Sequence, residues 1–372
     1  MNQRDIIYME RALALAKKGV GHVNPNPLVG AVIVKDDIVI GEGYHECYGD
    51  AHAEVNAFKN CRESPAGATM YVTLEPCSHY GRTPPCVDAI IEKKIARVVI
   101  GSVDPNPLVA GRSVTKMKEI GIEVEIGVLE RECNELNTIF FHYITHKKPY
   151  VVMKYAMTAD GKIATRTGKS KWITGEKARK RVHEDRNLHT GIMVGVGTVI
   201  ADDPMLDCRL EEGRNPIRIL CDTTLRTPIT ARVIQTASEI PTILATTCAD
   251  IAKHRPYLDQ GCQIMVVSEH DGTIDLKRLM MQLGEAGIDS ILLEGGATLN
   301  ASALKADIVQ KVQTYIAPKL FGGASAPTPV AGLGVDHPDQ AYLLKNSKTT
   351  ILGEDILIES EVEKRVEEVF VK

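Results

Sequence analysis

The chain has 372 residues, of which 44% are apolar and 25% are charged, and this composition favours a well-cored globular protein over a disordered one. The formal net charge of −4 lacks the basic excess that proteins binding a nucleic-acid backbone usually carry, so it disfavours that class and favours small-molecule work. At about 100–200 residues per domain, the length predicts two domains and leaves room for a third.

The cysteine content and the start of the chain bear on the compartment. Nine cysteines, an odd number, are scattered along the chain, which disfavours a disulfide framework and favours free thiols or metal ligands. The first 21 residues mix charges through an amphipathic pattern without a signal-peptide core, and no stretch approaches the ~20 apolar residues of a membrane span. We therefore expect a cytoplasmic protein.

Up to about residue 145, the pattern predicts alternating strands and helices after an opening hairpin. Ile6, Met9, Leu13 and Ala16 recur at helical spacing. The segments LVGAVIV and IVIGEGY flank the tight turn DD and should pair as strands. The elements expected next are a helix AHAEVNAFKNC starting near His52, a strand TMYVTL, a helix PPCVDAIIEKK, a strand ARVVIGS, a helix VTKMKEIG and a strand IEVEIG. This order predicts an α/β sandwich with helices on the faces of the sheet.

A basic, proline-bearing stretch at 144–152, ITHKKPYVV, predicts a domain boundary, so that residues 1–147 and 148–372 form one domain each. The helices expected in the second part are GEKARKRVHEDRNLH and DLKRLMMQLGEAG. The segment IMVGVGTVI is expected to be a strand followed by a turn. The other segments expected to be strands are YVVMKYAMT, IRILCD, PTILAT, QIMVV, SILLEGG, VQTYIAPKLFGG and TTILGEDILIES. The second domain is therefore also predicted to be α/β.

The stretch LEPCSHYGRTPPC, residues 74–86, carries the first chemical signal. Cys77 follows a predicted strand, Cys86 lies in the next predicted helix, and His52 and Glu54 lie at the start of another helix. One imidazole and two thiolates form a zinc set with a fourth position open for water, whose pKa zinc lowers toward neutrality. Glu54 is placed to transfer protons. The order H-x-E, then P-C, then a second cysteine is the signature of zinc deaminases, although here eight residues separate the cysteines instead of two.

Two other interpretations of these residues remain open at this point. His52 would be a core histidine and Cys77 and Cys86 ordinary buried thiols, or the three residues would hold a purely structural zinc. A structural site needs a fourth protein ligand, and no obvious one stands beside the three. The placement of all three residues at the ends of elements favours a catalytic zinc site. The other seven cysteines lack such partners and are interpreted as structural.

Three further motifs are weaker. The segment GVGTVIADD, 195–203, offers G-x-G after a strand but lacks the third glycine and a clear acidic residue of a dinucleotide fingerprint. The segment LLEGGATLN, 292–300, predicts a strand, a glycine turn and a helix whose N-terminus would suit a phosphate, or a plain strand–turn–helix connection. The near-repeats NPNPLVGAV, 24–32, and DPNPLVAGR, 104–112, are interpreted as two loops of one site.

These motifs together resemble the bifunctional riboflavin-biosynthesis deaminase/reductase family over nearly the whole chain. The first half carries NPLVGAV, HAEV, TLEPCSHYGRTPPC and DPNPLVAG, and the second carries MTADGKIA, SKWITG, VGVGTVIADDP, EGGATL and APKLFGG. The resemblance implies a cytidine-deaminase-like α/β/α sandwich at the N-terminus and a dihydrofolate-reductase-like α/β domain at the C-terminus. It also implies a homo-oligomer, either a dimer or a tetramer.

The resemblance implies roles for particular residues of the first domain. His52, Cys77 and Cys86 would bind one Zn²⁺ per chain, and Glu54 would be the catalytic proton shuttle. The residues implied to contact the deaminase substrate are Asn26, His45, His79, Arg82, Asp104 and Asn106. The family often has lysine at the position of Arg82, and either residue supplies a cation for a phosphate.

For the second domain, the resemblance implies NADPH as hydride donor and a phosphosugar substrate. The residues implied to line the NADPH site are Ala156, Trp172, Thr198, Asp202, Thr223, Gly296, Ala297, Thr298, Leu299, Asn300, Ala301 and Ser302. Those implied to hold the reductase substrate are Ser170, Arg186, Leu206, Arg209 and Glu294, with Arg186 and Arg209 as phosphate clamps. Asp160 and Lys162 lie in a loop that resembles the DGK/R turn of the family, but we assign no role to them. The sequence indicates no acid or base for the hydride step.

The expected activity is hydrolytic deamination of 2,5-diamino-6-ribosylamino-4(3H)-pyrimidinone 5′-phosphate. NADPH-dependent reduction of the ribosyl side chain of 5-amino-6-(5-phosphoribosylamino)uracil to ribityl would follow. Two rival hypotheses are a nucleic-acid base deaminase with an appended domain and a deaminase whose second half only binds or regulates. The acidic charge disfavours the first rival, and the reductase motifs disfavour the second.

Overall fold

The structure is a computed structural model that describes residues 2–78, 84–106 and 111–363. The chain divides into two compact units, Met1–Lys147 and Lys148–Lys372. Within the described residues, no helix combines the length and hydropathy that crossing a membrane requires.

The first unit contains one five-stranded sheet covered by helices. Its strands are β1 (Gly30–Lys35), β2 (Ile38–Tyr44), β3 (Thr69–Leu74), β4 (Arg97–Ser102) and β5 (Glu123–Ile126). Its helices are α1 (Gln3–Ala16), α2 (Ala53–Lys59), α3 (Cys86–Glu92), α4 (Arg112–Glu119), α5 (Glu130–Leu136) and α6 (Thr138–His146), with a short 3₁₀ turn at Lys17–Gly19. The sheet order is β2-β1-β3-β4-β5; β1 is antiparallel to β2 and β3, and β3, β4 and β5 are parallel.

Alternating side chains of β1 explain why helices cover both faces of this sheet. Val32 packs in one apolar cluster with Met9 of α1, whereas its neighbour Ile33 packs in another with Ala57 of α2 and Ile90 of α3. Because successive side chains of a strand point to opposite faces, two continuous cores result. The predicted hairpin and sandwich are confirmed, whereas the sequence missed α5 and α6.

The second unit contains a nine-stranded sheet and a separate two-stranded ribbon. Its strands are β6 (Tyr150–Thr158), β7 (Gly191–Gly195), β8 (Ile217–Cys221), β9 (Thr242–Thr246), β10 (Gln263–Val266), β11 (Glu269–His270), β12 (Thr273–Ile274), β13 (Ser290–Leu293), β14 (Lys311–Ala317), β15 (Leu344–Leu352) and β16 (Asp355–Val362). Its helices are α7 (Glu176–Leu188), α8 (Val196–Asp202), α9 (Arg232–Gln235), α10 (Ile251–Leu258), α11 (Leu276–Glu285) and α12 (Ala297–Lys305), with a 3₁₀ turn at Pro338–Gln340.

The large sheet has the order β10-β9-β8-β7-β13-β6-β14-β16-β15, and β11 pairs with β12 alone. From β10 to β14 all neighbours are parallel, and β16 and β15 add an antiparallel edge. Ile192 packs in one cluster with α8 and α9 residues, while Met193 packs in another with α11 and α12 residues. A parallel sheet is therefore buried on both faces, as its apolar strand sequences predict.

One helix begins where the sequence predicts only a turn. A strand followed by a turn is expected over IMVGVGTVI, and β7 does end at Gly195, but the helix α8 begins at Val196. The β-branched residues of this segment favour a strand locally, yet the chain turns where Gly195 N–H donates to the Gly295 carbonyl at 2.8 Å. Tertiary contact here overrides local propensity, and the turn opens a cleft at the strand ends.

Candidate active sites

Three elements of the first unit bring the predicted metal ligands together. His52 is the N-cap residue of α2, Cys77 follows the end of β3, and Cys86 is the first residue of α3. The helix α2 packs closely on β2, because a Cβ added at Gly43 would lie only 2.3 Å from the Ala57 backbone nitrogen. Glycine at this position thus allows the approach that holds the N-terminus of α2 over the strand ends.

The donor atoms of these residues converge. His52 Nδ1 lies 3.3 Å from Cys86 Sγ and 3.6 Å from Cys77 Sγ, and all three donor atoms lie within 4.8 Å of one another. Zn–S bonds of about 2.3 Å and Zn–N bonds of about 2.1 Å at tetrahedral angles require an N···S separation of about 3.6 Å. The observed spacing therefore fits a zinc ion bound by two sulfurs and one imidazole.

The charge state of the cysteines also favours a cation. The hydrogen bond from the Cys86 thiol lowers the pKa of Cys77 well below its usual range, and a backbone N–H donated by Cys86 at 3.2 Å adds to this effect. The contact with Cys77, together with burial, raises the pKa of Cys86 above its usual range. Cys77 is therefore the thiol of this pair that ionises more readily, and thiolates are the ligands that zinc prefers.

Glu54 lies in the first turn of α2, two residues after His52, and its side chain is buried. Burial raises the pKa of this carboxyl group, and the negative charge on Cys77 raises it further. Glu54, His52 and Cys77 line the same cleft of about 320 Å³. The arrangement places a group that can carry a proton beside the donor set, as a hydrolytic deamination requires.

The cleft also collects the predicted substrate contacts that the structure describes. Asn26, His45, Asp104 and Asn106 line it, while His79 and Arg82 lie outside the described residues. Asn26 belongs to the first near-repeat, and Asp104 and Asn106, in the loop after β4, belong to the second. The described parts of both near-repeats therefore border the same cleft. This agrees with the interpretation of the repeats as two loops of one site.

His45 is held in a defined orientation inside this cleft. Its Nδ1 lies 3.1 Å from the Ala51 carbonyl, and its Nε2 lies 3.1 Å from Asn26 Nδ2. Since a carbonyl oxygen only accepts, Nδ1 carries the proton, and Nε2 accepts from the Asn26 amide. Burial lowers the pKa of His45, which favours this neutral form.

Sequence reasoning missed several residues of this cleft, including Tyr48, Glu75, Phe140 and Ile144. Glu75 is buried, and its carboxylate accepts from the Gly111 N–H at 3.0 Å and the Ser113 hydroxyl at 2.6 Å. Its position one residue after β3, beside Pro76, was the signal available in the sequence. Phe140 and Ile144, four residues apart on the missed helix α6, gave the i, i+4 signal that marks one helix face.

The second unit has two adjoining clefts where parallel strands end. The larger, of about 790 Å³, is lined by all five residues expected to hold the reductase substrate: Ser170, Arg186, Leu206, Arg209 and Glu294. The other, of about 570 Å³, is lined by most residues expected at the cofactor: Thr198, Asp202, Thr223, Gly296, Ala297, Thr298, Leu299 and Ser302. Ser170 and Asp202 line both clefts, and Ser170 Oγ donates to Asp202 Oδ1 at 3.3 Å.

Four residues expected at the cofactor lie elsewhere. Ala156 and Trp172 line the larger cleft instead. Asn300 and Ala301 do not line the cofactor cleft, and Asn300 is buried with its amide donating to the Pro329 carbonyl at 2.9 Å. The reason is the 100° rotation per residue on α12, which turns these two side chains away while Ser302 returns to the cleft.

A group of three charges lies in the larger cleft. Arg186 Nε and Nη2 donate to the two carboxylate oxygens of Glu294 at 2.8 and 3.0 Å, and Lys154 Nζ lies 3.9 Å from Glu294 Oε2. Burial alone would raise the pKa of Glu294, but the charges of Arg186 and Lys154 outweigh it and lower the pKa to about 2. Burial lowers the pKa of Lys154. Sequence reasoning missed Lys154, although a lysine inside an otherwise apolar strand was a signal.

The contacts of Arg186 weaken its expected role as a phosphate clamp. Its guanidinium holds Glu294 bidentately and also donates from Nη1 to the Asp207 carbonyl at 2.8 Å. A phosphate at Arg186 would have to share or displace these bonds. Arg209 is more exposed, with a side chain that pairs only with Asp207 among the described residues, so it is the more available phosphate ligand of the two.

A glycine turn shapes the cofactor cleft. Gly295 has φ 86°, a conformation that favours glycine, and an ideal Cβ at Gly296 would lie 3.2 Å from Thr198 Oγ1. The nine-residue helix α12 begins directly after this turn, with its first three residues in the cleft wall. Backbone exposed beside a helix N-terminus suits a pyrophosphate, so the cleft fits a dinucleotide.

These sites define a two-part enzyme, with a zinc-binding deaminase domain followed by a reductase domain that uses a nicotinamide cofactor. Residues 2–102 match the family described as the cytidine and deoxycytidylate deaminase zinc-binding region, and residues 149–358 match the RibD C-terminal domain.

Whole-chain relatives agree with both matches. The riboflavin biosynthesis protein RibD of Actinobacillus pleuropneumoniae is 54% identical over 95% of this chain and 94% of that protein. A solved structure of Acinetobacter baumannii RibD superposes with a TM-score of 0.88, 36% identity and coverage of 97% of this chain and 99% of that one. The deaminase/reductase of Thermotoga maritima superposes with a TM-score of 0.84, 39% identity and the same coverage. The chain therefore belongs to the RibD family, the bifunctional deaminases and reductases of riboflavin biosynthesis.

Proposed function

We propose that residues 1–147 hydrolytically deaminate 2,5-diamino-6-ribosylamino-4(3H)-pyrimidinone 5′-phosphate and that residues 148–372 reduce the resulting 5-amino-6-(5-phosphoribosylamino)uracil with NADPH. The substrates follow the name of the T. maritima relative, a diaminohydroxyphosphoribosylaminopyrimidine deaminase and 5-amino-6-(5-phosphoribosylamino)uracil reductase. The observation that carries the proposal is the convergence of His52, Cys77 and Cys86 beside buried Glu54 in a small-molecule cleft.

In the deaminase, His52, Cys77 and Cys86 would hold zinc, and Glu54 would move protons. Zinc held there supplies Lewis acidity that makes water a nucleophile at neutral pH. The Glu54 carboxylate accepts a proton from this water and returns it to the departing amine nitrogen, so that C–NH₂ and H₂O become C=O and NH₃. Asn26 holds the neutral His45 ring at the wall of the cleft, 5.5 Å from the His52 ring and edge-on to it.

In the reductase, the substrate would lie against the charged group of the larger cleft. NADPH supplies the hydride that converts the ring-opened ribosyl carbon to its ribityl form. Glu294 is ionised at neutral pH and Arg186 does not deprotonate, so Lys154, whose pKa burial lowers, is the member of this group that can give up a proton. We propose that its ammonium protonates the nitrogen beside the reduced carbon, while Arg209 contacts the phosphate.

The NADPH assignment is supported by the way the two clefts adjoin. Residues expected at the dinucleotide lie on both sides of Ser170 and Asp202: Trp172 and Ala156 in the substrate cleft, and Thr198 with the glycine turn in the other. A cofactor that reaches past this junction would bring its nicotinamide to the substrate, while its phosphates remain at the N-terminus of α12.

One experiment tests both activities on the full chain. Zinc content, ammonia release and NADPH oxidation are measured with the diaminopyrimidine phosphate for the wild type and for Glu54→Gln. We expect one zinc per chain in both proteins and a loss of about 10²- to 10⁴-fold in ammonia release for the variant. Supplying the deaminated intermediate should restore NADPH oxidation in Glu54→Gln.

Two outcomes would contradict this proposal. Full ammonia release by a zinc-loaded Glu54→Gln protein would remove Glu54 from proton transfer. No NADPH oxidation by the wild type with the deaminated intermediate would remove the reductase assignment. The exposed Glu285, on α11 in the second unit, supplies a matched control as Glu285→Gln.

We further propose that the protein works in the cytoplasm as a homo-oligomer, either a dimer or a tetramer. The odd number of cysteines supports a reducing compartment. Light scattering of the purified full chain measures the oligomeric state, and a mass equal to one chain would contradict this part of the proposal.

A further inference from the structure

A turn after β8 forms part of the wall of the cofactor cleft. β8 ends at Cys221, and Thr223 and Arg226 of the following turn both line this cleft. Arg226 was not among the residues expected from the sequence. Its position raises the question of which part of a dinucleotide it meets.

Side-chain hydrogen bonds hold the backbone of this turn in place. Asp222 Oδ2 accepts from both the backbone N–H and the hydroxyl of Thr227 at 2.7 Å. The Tyr257 hydroxyl lies 2.7 Å from the Thr227 carbonyl and 3.2 Å from the Leu225 carbonyl. These bonds close the turn at both ends, so Arg226 projects from a fixed piece of backbone.

Asp222 itself is withdrawn from the cleft. In dinucleotide-binding βαβ units, an acidic residue after the second strand accepts the ribose 2′-hydroxyl of NAD, whereas a nearby arginine accommodates the 2′-phosphate of NADP. Here β7, α8 and β8 have the same strand–helix–strand order with parallel strands, and Asp222 is the acidic residue directly after β8. Asp222 is 0% exposed and its Oδ2 is bonded to Thr227, so it does not present a carboxylate to a ribose.

Arg226 instead offers a positive charge that pairs with none of the described residues. Among the described residues that line the cofactor cleft, it is the one lysine or arginine. It is exposed, and its guanidinium makes no hydrogen bond or ion pair within residues 2–78, 84–106 and 111–363. A free guanidinium beside the Thr223 hydroxyl offers a strong donor set for a phosphate.

The position along the sheet matches the far end of the cofactor. The order β8-β7-β13-β6 separates the ends of β8 and β6 by three strand spacings of about 4.8 Å, or about 14 Å in all. Ala156 and Lys154 of β6 line the substrate cleft, where the hydride is transferred. A dinucleotide with its nicotinamide there and its pyrophosphate at α12 directs its adenosine ribose toward β8.

We propose that Arg226, with the Thr223 hydroxyl, binds the 2′-phosphate of the adenosine ribose and sets the preference for NADPH over NADH. This inference rests on the proposed reductase function. The withdrawn Asp222 contributes by removing the acceptor that would favour the free 2′-hydroxyl of NADH.

Binding and turnover are measured on the full chain for the wild type, Arg226→Gln and Arg226→Lys. The probes are adenosine 2′,5′-bisphosphate and adenosine 5′-phosphate in calorimetry, and NADPH and NADH in turnover with the deaminated intermediate. We expect Arg226→Gln to lose about 10- to 100-fold in kcat/KM for NADPH and in affinity for the bisphosphate, because one charge-assisted contact is lost. NADH turnover and 5′-phosphate binding should stay unchanged, and Arg226→Lys should restore part of the loss.

The exposed Arg255 on α10 supplies a control, because Arg255→Gln removes the same charge outside both clefts. Equal loss for NADPH and NADH in Arg226→Gln, or no loss for either, overturns the inference. A wild type that binds the two adenosine probes equally also overturns it. If the wild type binds the bisphosphate through Arg226 yet oxidises no NADPH on the intermediate, the proposed reduction fails while the phosphate site stands.

Discussion

The two units both place functional side chains where parallel strands end, yet they assemble their sites differently. In the first unit, three donor atoms from His52, Cys77 and Cys86 meet within 4.8 Å, and one cleft contains the chemistry. In the second, a charged group formed by β6, α7 and the end of β13 lines one cleft, and most residues expected at the cofactor line another. A metal needs a few ligands of defined chemistry, whereas a dinucleotide is held mainly by backbone, shape and dispersed charge.

This difference predicts that the two activities can be removed separately. The largest effect should come from His52→Ala, which removes the imidazole donor from the metal site. We expect zinc to be lost and ammonia release to fall to background. NADPH oxidation with the deaminated intermediate should be retained, because none of the described residues that line the two clefts of the second unit is His52, Cys77 or Cys86. Metal analysis and the two assays check this.

The control for that change is His146→Ala, which removes an exposed imidazole outside the cleft. A parallel loss of reductase activity in His52→Ala would show that the two units do not function independently and would break the comparison.

Lys154→Met tests the charged group of the second unit. The substitution keeps much of the side-chain volume but removes the ammonium beside Glu294. We expect reductase kcat to fall about 10²- to 10⁴-fold, as for loss of a general acid, with ammonia release unchanged. Steady-state assays of both reactions measure this, with the exposed Lys253→Met as control. A rise in KM for the substrate without a change in kcat would assign Lys154 to substrate binding rather than to proton transfer.

Glu294→Gln should destabilise the second unit in a pH-dependent manner. The folded-state pKa of Glu294, about 2, lies below its ordinary value of 4.5, so its charge contributes stability above pH 4.5 that is lost as the pH falls toward 2. The shift corresponds to about 3 kcal/mol at neutral pH. The difference in unfolding free energy between wild type and variant should therefore shrink by more than half by about pH 3.

Denaturant unfolding of both proteins between pH 7 and pH 3 measures this difference. Glu285→Gln, at an exposed site, should show no such dependence. A difference that is constant with pH would mean that the pair of Glu294 with Arg186 does not stabilise the folded chain through its charge.

The smallest effect is expected from Asn26→Ala in the first unit. The Asn26 amide donates to His45 Nε2, so its loss frees the imidazole to rotate or protonate. One hydrogen bond contributes about 1 kcal/mol, which predicts a three- to tenfold fall in deaminase kcat/KM without loss of zinc. A loss of zinc in this variant would show that His45 supports the metal site. An unchanged kcat/KM would show that the orientation of the His45 ring does not contribute to deamination.

Much of the fold could be predicted from local patterns. Strand β1 and helix α2 follow from period-two and helical spacing, and the turn between β1 and β2 follows from two aspartates with φ of 47° and 62°. The helix α8 could not be predicted in this way. The turn expected after β7 is the start of this helix, at the point where the backbone of Gly195 binds Gly295, a contact 100 residues away in the sequence.

The sequence by itself determined which side chains the first site would contain. The order of His52, Glu54, Cys77 and Cys86 predicts a zinc donor set and the approximate position of each residue, because helix starts and strand ends are set by local residues.

Only the tertiary structure decided which residues of the second unit meet. Lys154, Arg186 and Glu294 are brought together by the order β7-β13-β6 and by α7, and Arg226 reaches the cofactor cleft while Asp222 turns inward. Pairing of parallel strands joins segments more than 100 residues apart, and no local pattern in the chain specifies that order. The physical reason is that a parallel strand is stabilised by hydrogen bonds to strands distant in the sequence and by burial on both faces. Which strands become neighbours is therefore decided when the whole sheet packs.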